Sequence, residues 1–318
     1  MKNLNRAFLS LSFIASLVFT PLSITTVFGQ NALKNSDEDA LFIRKIYDNA
    51  LTTTTTYTWL YDMCTRIGSR LSGSEGAAKA VQYTKQMMDT SGFATRLQAC
   101  MVPHWIRGEA ERVEMKTKNG KISLRSLSIG NSVGTGKKGI EAEVIEVKSL
   151  DEVDKLGNKV KGKIVFFNRP MDRKKILTFE AYGGAGDQRH TGPSRSAKYG
   201  ALAVLVRSLS TELDDRPHTG ALVYDEKQPK IPAICLSTND AEKLSKALQN
   251  EPNMKVFVRN TCEMLPDAES LNVIGEIKGS EFPNEVIVIG GHLDSWTPHK
   301  AHTMTVQAAF KAWGFWIF

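Results

Sequence analysis

Glu285-Val-Ile-Val-Ile-Gly-Gly-His-Leu-Asp-Ser-Trp296 decides the reading of this chain. Val286 to Ile289 is an unbroken β-branched run flanked by glycine, the pattern of a strand buried on both faces of a parallel sheet. Gly290 and Gly291 end it, and His292 and Asp294 follow at once. In open α/β sheets ligands bind beyond the carboxyl ends of the strands. A neutral imidazole at such a place is a good zinc ligand, and a carboxylate two residues on can orient it. The stretch therefore predicts a strand-end metal ligand, His292, with Asp294 as its orienting partner.

Working outward, Ser270 to Lys278 predicts another strand of the same sheet, turned by Gly279 to Asn284. Further back, Ile140–Val147, Lys163–Phe167 and Ala201–Val206 read as strands, and Ser194–Tyr199 and Asn239–Leu248 as helices. Val113–Lys118 and Lys121–Leu127 flank Asn119-Gly120, which predicts a hairpin with a type I′ turn. Gly134-Thr-Gly-Lys-Lys-Gly139 has dinucleotide-fingerprint spacing, but it precedes a strand instead of opening a helix, so no nucleotide site is inferred. Gly183, Gly184 and Gly186 predict a flexible loop in which His190 and His218 lie. Either His is read as a surface or hydrogen-bonding residue.

Toward the start, Ser36-Asp-Glu-Asp39 has the form of a helix cap with acids in the first turn. Leu41, Phe42, Ile46, Ala50 and Leu51 supply an apolar face, Thr52–Thr56 a junction, and Tyr57–Ile67 a resumed helix. Arg70-Leu-Ser-Gly-Ser-Glu-Gly76 is a loop. Ser74 then caps a helix with Ala77, Ala80, Val81, Met87 and Met88 on its apolar face and Gly92 as its stop.

The 318 residues suffice for two domains, with 42% hydrophobic and 24% charged residues, a soluble globular composition. The net charge of +7 is scattered, with no basic helix or aromatic interleaving, so no nucleic-acid partner is expected. A basic start and an apolar segment over Ala7–Val27 predict a cleaved signal peptide and export to a secreted or periplasmic location, with no membrane anchor afterwards. Cys64, Cys100, Cys235 and Cys262 allow two disulfides in three connectivities, or buried free thiols; there is no Cys-x-x-Cys zinc motif.

Gly-Gly-His-Leu-Asp-Ser-Trp resembles the first metal-ligand motif of the co-catalytic di-zinc exopeptidases related to carboxypeptidase Q. Ala197–Ser208, Arg216-Pro-His-Thr-Gly220 and Lys230-Ile-Pro-Ala-Ile-Cys235 resemble that family's inserted domain in order and spacing. The resemblance runs from about Asp37 to Trp296. It implies an α/β fold: a mixed-sheet zinc-exopeptidase core, incomplete here, interrupted by an α+β insert of protease-associated type. The implied organisation is a signal peptide over 1–29, the first part of the peptidase domain over 30–109, the insert over 110–263 and the resumed core with the metal motif over 264–296. It also implies short peptide substrates, two zinc ions in an intact member and a homodimer.

Beyond Trp296 the resemblance stops. A two-zinc site needs a bridging carboxylate and a general-base Glu, and no acid follows Asp294. Reading the codons one base earlier from the last G of the Trp296 codon forces Asp in place of Thr297 and of Thr305. It gives Gln or a stop in place of Lys300, and permits Asp-x-x-Gln-Gly-Ala-His-Asp-Asp-Gly, which resembles the family's next motif. Residues 297–318 are therefore expected to be an out-of-frame tail, and the chain to be inactive. The rival reading is a secreted binding module with a vestigial metal site.

Overall fold

The computed structural model describes residues 22–296, except Ala110 and Asn119. The out-of-frame reading of 297–318 and the first 21 residues of the leader reading lie outside the described residues. The chain divides into two units, Met1–Trp59 and Leu60–Phe318.

In the first unit a helix, α1 (Leu22–Thr52), runs unbroken through Ser36. Ser36 is thus not a helix start: its preceding residues continue the same helical turn, leaving no open N-terminus for a cap to satisfy. Leu41, Phe42, Ile46 and Leu51 on this helix are exposed. The expected junction falls at residues 53–54, after which α2 (Thr55–Asp62) begins.

In the second unit a single π-type turn, Met63–Ile67, is closed by Gly68 at φ 81°, a conformation only glycine adopts cheaply. α3 (Glu75–Thr90) starts at Ser74, whose hydroxyl accepts from the Ala77 amide at 3.2 Å. Ala77, Ala80 and Val81 are buried on its inner face, and Gly92 at φ 85° ends it. β1 (Ala94–Ile106) and β10 (Glu263–Glu276) form a long antiparallel ribbon. Its register shifts between Val102 and His104, where Pro103 and Pro266 withhold two amides from the ladder.

Between the two ribbon strands the chain builds an eight-stranded mixed sheet. Its strands are β2 (Arg112–Thr117), β3 (Gly120–Leu124), β4 (Ser126–Ser128), β5 (Ile140–Val147), β6 (Ile164–Phe167), β7 (Ala203–Arg207), β8 (Ala233–Leu236) and β9 (Lys255–Arg259). The spatial order is β3-β2-β9-β5-β6-β7-β8-β4. β5 to β8 run parallel, and the remaining pairs are antiparallel. β3 and β4 form the two edges, yet only Arg125 separates them in the chain. One residue spans about 3.8 Å, so the sheet must curl until its edges meet at Arg125. There the Arg125 amide donates to Asp240 Oδ2 at 2.6 Å, and its carbonyl accepts from the Ser237 amide at 3.0 Å.

This edge exchange corrects the sequence reading of one strand over 121–127. The Arg125 backbone bonds to Ser237 and Asp240 instead of to β2, so the ladder breaks there. The hairpin also pairs Thr117 with Gly120, which puts Gly120 in β3 and not in the turn.

Burial alternates along the parallel strands. Ile164, Phe166, Leu205, Ile234 and Leu236 join α7 (Thr238–Asn250) through Ala241, Leu244 and Leu248 in one cluster. Val165, Phe167, Val204, Val206 and Cys235 face the other way, onto α4 (Leu150–Leu156) through Val153 and α6 (Gly192–Ala197) through Ala197. Every residue of β6, β7 and β8 is buried, as a strand covered on both faces requires.

Two further expectations are corrected. Gly183, Gly184 and Gly186 lie within a helix, α5 (Thr178–His190), not a loop. Ala181, Ala185, Gln188 and Arg189 bury one side of it, and the Gln188 amide exchanges hydrogen bonds with the Arg169 backbone. That packing outweighs the helix penalty of three glycines, about 1 kcal/mol each. Val286–Ile289 forms no strand, and its side chains are 62–85% exposed. β-branched residues stiffen an extended chain but supply no partner, and no strand of the described residues pairs with this run. All four cysteines are free thiols, with Cys64, Cys235 and Cys262 buried and Cys100 partly so.

Phe166 sits at the centre of the first cluster and is fully buried. Phe166→Ala is expected to cost about 3–5 kcal/mol, read as a lowered urea midpoint at unchanged slope. A loss below about 1 kcal/mol would place the core elsewhere.

Candidate metal-ligand turn

His292 and Asp294 lie on an irregular segment, not on a strand end. The structure nevertheless brings them together. His292 Nδ1 lies 3.0 Å from both the carbonyl and the Oδ1 of Asp294. Two oxygen acceptors around Nδ1 require a proton there. The neutral ring is then the tautomer with its lone pair on Nε2, the nitrogen a metal would take.

The turn is held from two sides. Arg70, 6% exposed, donates through Nε to the Leu293 carbonyl at 2.9 Å, and its own carbonyl accepts from the Ser295 amide at 2.9 Å. Arg107 donates to the Trp296 carbonyl at 2.8 Å and to the Ser128 carbonyl at 2.5 Å. Its guanidinium also lies 5.0 Å from the centre of the Trp105 ring and is balanced by buried Glu111 at 3.5 Å. Trp105 meets Trp296 edge to face at 6.2 Å and donates to the Ser132 carbonyl at 2.9 Å.

Gly130 supplies the space. A methyl group on its Cα would lie 2.0 Å from Cζ3 of Trp296. The Gly130 amide donates to the Gly220 carbonyl at 2.7 Å, and Thr219 Oγ1 donates to the Ser128 carbonyl at 2.8 Å. The segment after β4 thus links the 219–220 loop to the Trp296 seat. His218, just before it, donates its amide to Ser208 Oγ at 2.7 Å and sets its ring 3.4 Å from Asp214. His190 is exposed at the end of α5. Neither joins His292 in a ligand cluster.

Arg70, Trp105 and Arg107 were not marked by the sequence as site residues. A Trp and an Arg two apart at the end of a strand was the available sign. For Arg70, in a loop 223 residues from Leu293, there was none.

The donor set does not make a zinc site by itself. Zinc takes about four ligands, and the described residues contain no group of three or more His, Cys, Asp or Glu side chains placed to hold a metal. His292 and Asp294 suit a fraction of such a site.

The shared hydrogen bond raises the His292 imidazole above its usual 6.5, against partial burial, and holds the Asp294 carboxyl below its usual 3.8. The side chains are 62% and 42% exposed, so solvent screens much of the effect. A raised His contributes fully below 6.5 and fades as pH rises through its elevated value. A lowered Asp contributes fully above 3.8 and fades as pH falls through its depressed value. The pair is complete between those limits. An NMR titration of His292 is expected to show a midpoint above 6.5, which Asp294→Asn lowers; an unmoved midpoint would mean that the pairing is absent in solution. Gly130→Ala is expected to expel the Trp296 ring, seen as a red-shifted tryptophan emission.

Comparison with known proteins gives the context. Carboxypeptidase Q of Bos taurus is 35% identical over 248 residues, covering 78% of this chain and 50% of that protein. Carboxypeptidase Q of Homo sapiens matches with the same identity and coverage. A crystal structure of a peptidase M28 precursor from Shewanella amazonensis SB2B superposes with a TM-score of 0.77 at 26% identity, covering 82% of this chain and 59% of that one. No family model matches the chain. The chain spans about half the length of the curated relatives it matches. Over the matched residues it belongs to the carboxypeptidase Q family of peptidases.

Proposed function

We propose that this chain carries the first part of a zinc-dependent exopeptidase that acts on short peptides outside the cytoplasm, and that the 318-residue polypeptide is itself inactive. The observation that carries the reading is the Asp294-bound Nδ1 of His292, which leaves Nε2 as the ring's metal-facing nitrogen. Residues 1–29 are proposed as the leader, 30–109 and 264–296 as parts of the peptidase domain, and 110–263 as the insert. The long β1–β10 ribbon, which brackets the whole eight-stranded sheet, supports the placing of those boundaries. No helix of the described residues is long and apolar enough to cross a membrane.

Hydrolysis by such a peptidase needs a water activated by metal and a carboxylate base to take its proton. The described residues contribute one imidazole and one carboxylate, and that carboxylate is engaged by the imidazole. Purified chain is therefore expected to show no zinc-dependent dipeptide hydrolysis above blank, and to bind Zn²⁺ more weakly than about 10 µM, roughly 7 kcal/mol. Robust zinc-dependent turnover would refute the inactivity. Residues 297–318 are proposed as out of frame. Sequencing the encoding DNA across the Trp296 codon is expected to reveal a one-base loss; an intact frame would remove that part of the reading.

A further inference from the structure

We propose that Arg70 is a positioning residue for the His292–Asp294 pair, a role that rests on the reading of that pair as the site under Proposed function. One residue grips the turn twice. Its side chain holds the carbonyl of Leu293 and its backbone holds the amide of Ser295, the two neighbours of Asp294. The other end of the guanidinium donates to the carbonyls of Met63 at 3.1 Å and Gly68 at 2.6 Å. These carbonyls belong to the π-type turn and its glycine stop, which is closed by the Gly68 amide on the Met63 carbonyl at 3.1 Å, so the grip is anchored on that turn.

The chemistry favours positioning over charge pairing. All three side-chain bonds go to backbone carbonyls, and the donors occupy both sides of a planar group. A lysine offers the same charge from a single point and cannot bridge two segments in this way. The loop that carries Arg70 is itself fitted closely. Gly73, at φ 75°, lies under the His104 ring, where a Cβ would come within 2.9 Å. Gly76 lies against the Ser69 carbonyl, which a Cβ would meet at 1.9 Å. Ser72 Oγ donates to the Pro103 carbonyl at 2.7 Å. The position of Asp294, and through it the ring of His292, is thus transmitted from the β1 ribbon by way of Arg70.

The test uses the full chain, with ¹⁵N-labelled histidine and amide hydrogen exchange. In Arg70→Lys the Ser295 amide is expected to exchange at least tenfold faster and the His292 ring signals to move to those of free imidazole. The Val165 and Leu205 amides of the central sheet should keep their protection. Val165→Ala, a control that lowers the melting temperature from within that sheet, should move neither site signal. In Arg70→Ala, added ethylguanidinium should restore the His292 signature by replacing the lost donors, which keeps the test open if the lysine variant does not fold. The proposal is overturned if Arg70→Lys changes Ser295 exchange by less than twofold, if Val165→Ala moves the site signals as much, or if ethylguanidinium restores nothing. Zn²⁺ titrated into the unaltered chain up to millimolar concentration, above the weak affinity expected of it, separates the two readings: a His292 signal that such zinc does not move removes the metal role and leaves the Arg70 result standing.

Discussion

The structure depends on a closure constraint at Arg125. The strands on either side of it are the two edges of an eight-stranded sheet, so a single residue must join them. The sheet curls to satisfy this, and α7 shares one core cluster with its strands. Closure brings the two edge strands together at Arg125 without pairing them to each other. Its second effect is positional. Because β4 is held as an edge against β8, the residues just after it occupy fixed places: Ser128 with its carbonyl toward Arg107, Gly130 beneath Trp296 and Ser132 against Trp105. The seat of the metal-ligand turn is in this sense an extension of the sheet's seam.

The run Val286–Ile289 shows the same physics from the opposite side. Like β6 and β7, which are wholly buried, it is a mainly apolar run. The difference lies in neighbours. β6 has β5 and β7 beside it and helices on its faces, whereas no strand of the described residues pairs with 286–289. The apolar side chains that would stabilise a central strand instead face solvent, at a cost of roughly 25 cal/mol for each Å² left uncovered. A few residues later the chain gains tertiary contacts, because Arg70, Arg107 and the two tryptophans supply them without a sheet.

Strong periodicity was legible in the sequence. β5 matches its expected span residue for residue, and β6, β7, α6 and α7 agree within a few residues, because each is an apolar pattern bounded by turn chemistry. Ser74 and Gly92 were readable as the ends of α3. Less was visible where tertiary partners decide. The break at Arg125 depends on Asp240, more than a hundred residues away, and the glycines of α5 are held helical by Gln188 and Arg169. β1, β8, β9 and α4 are not marked as elements, since their burial is partial or their length short, and β4 is merged with β3 in one run. In the site, His292 and Asp294 are read as a pair from their spacing together with a strand that does not form, whereas Arg70 is recognisable only once its loop meets the 293–295 turn.

The four free thiols bear on where such a chain can survive. Burial pushes the Cys235 thiol up to about 12, and Cys262 is raised for the same reason. Burial thus disfavours the thiolate at neutral pH, and only the thiolate attacks a disulfide. Cys235 is therefore inert to exchange in an oxidising compartment as long as the sheet around it stays shut. Cys100, partly open on the ribbon, has no such shield, and covalent cross-linking between copies would begin there.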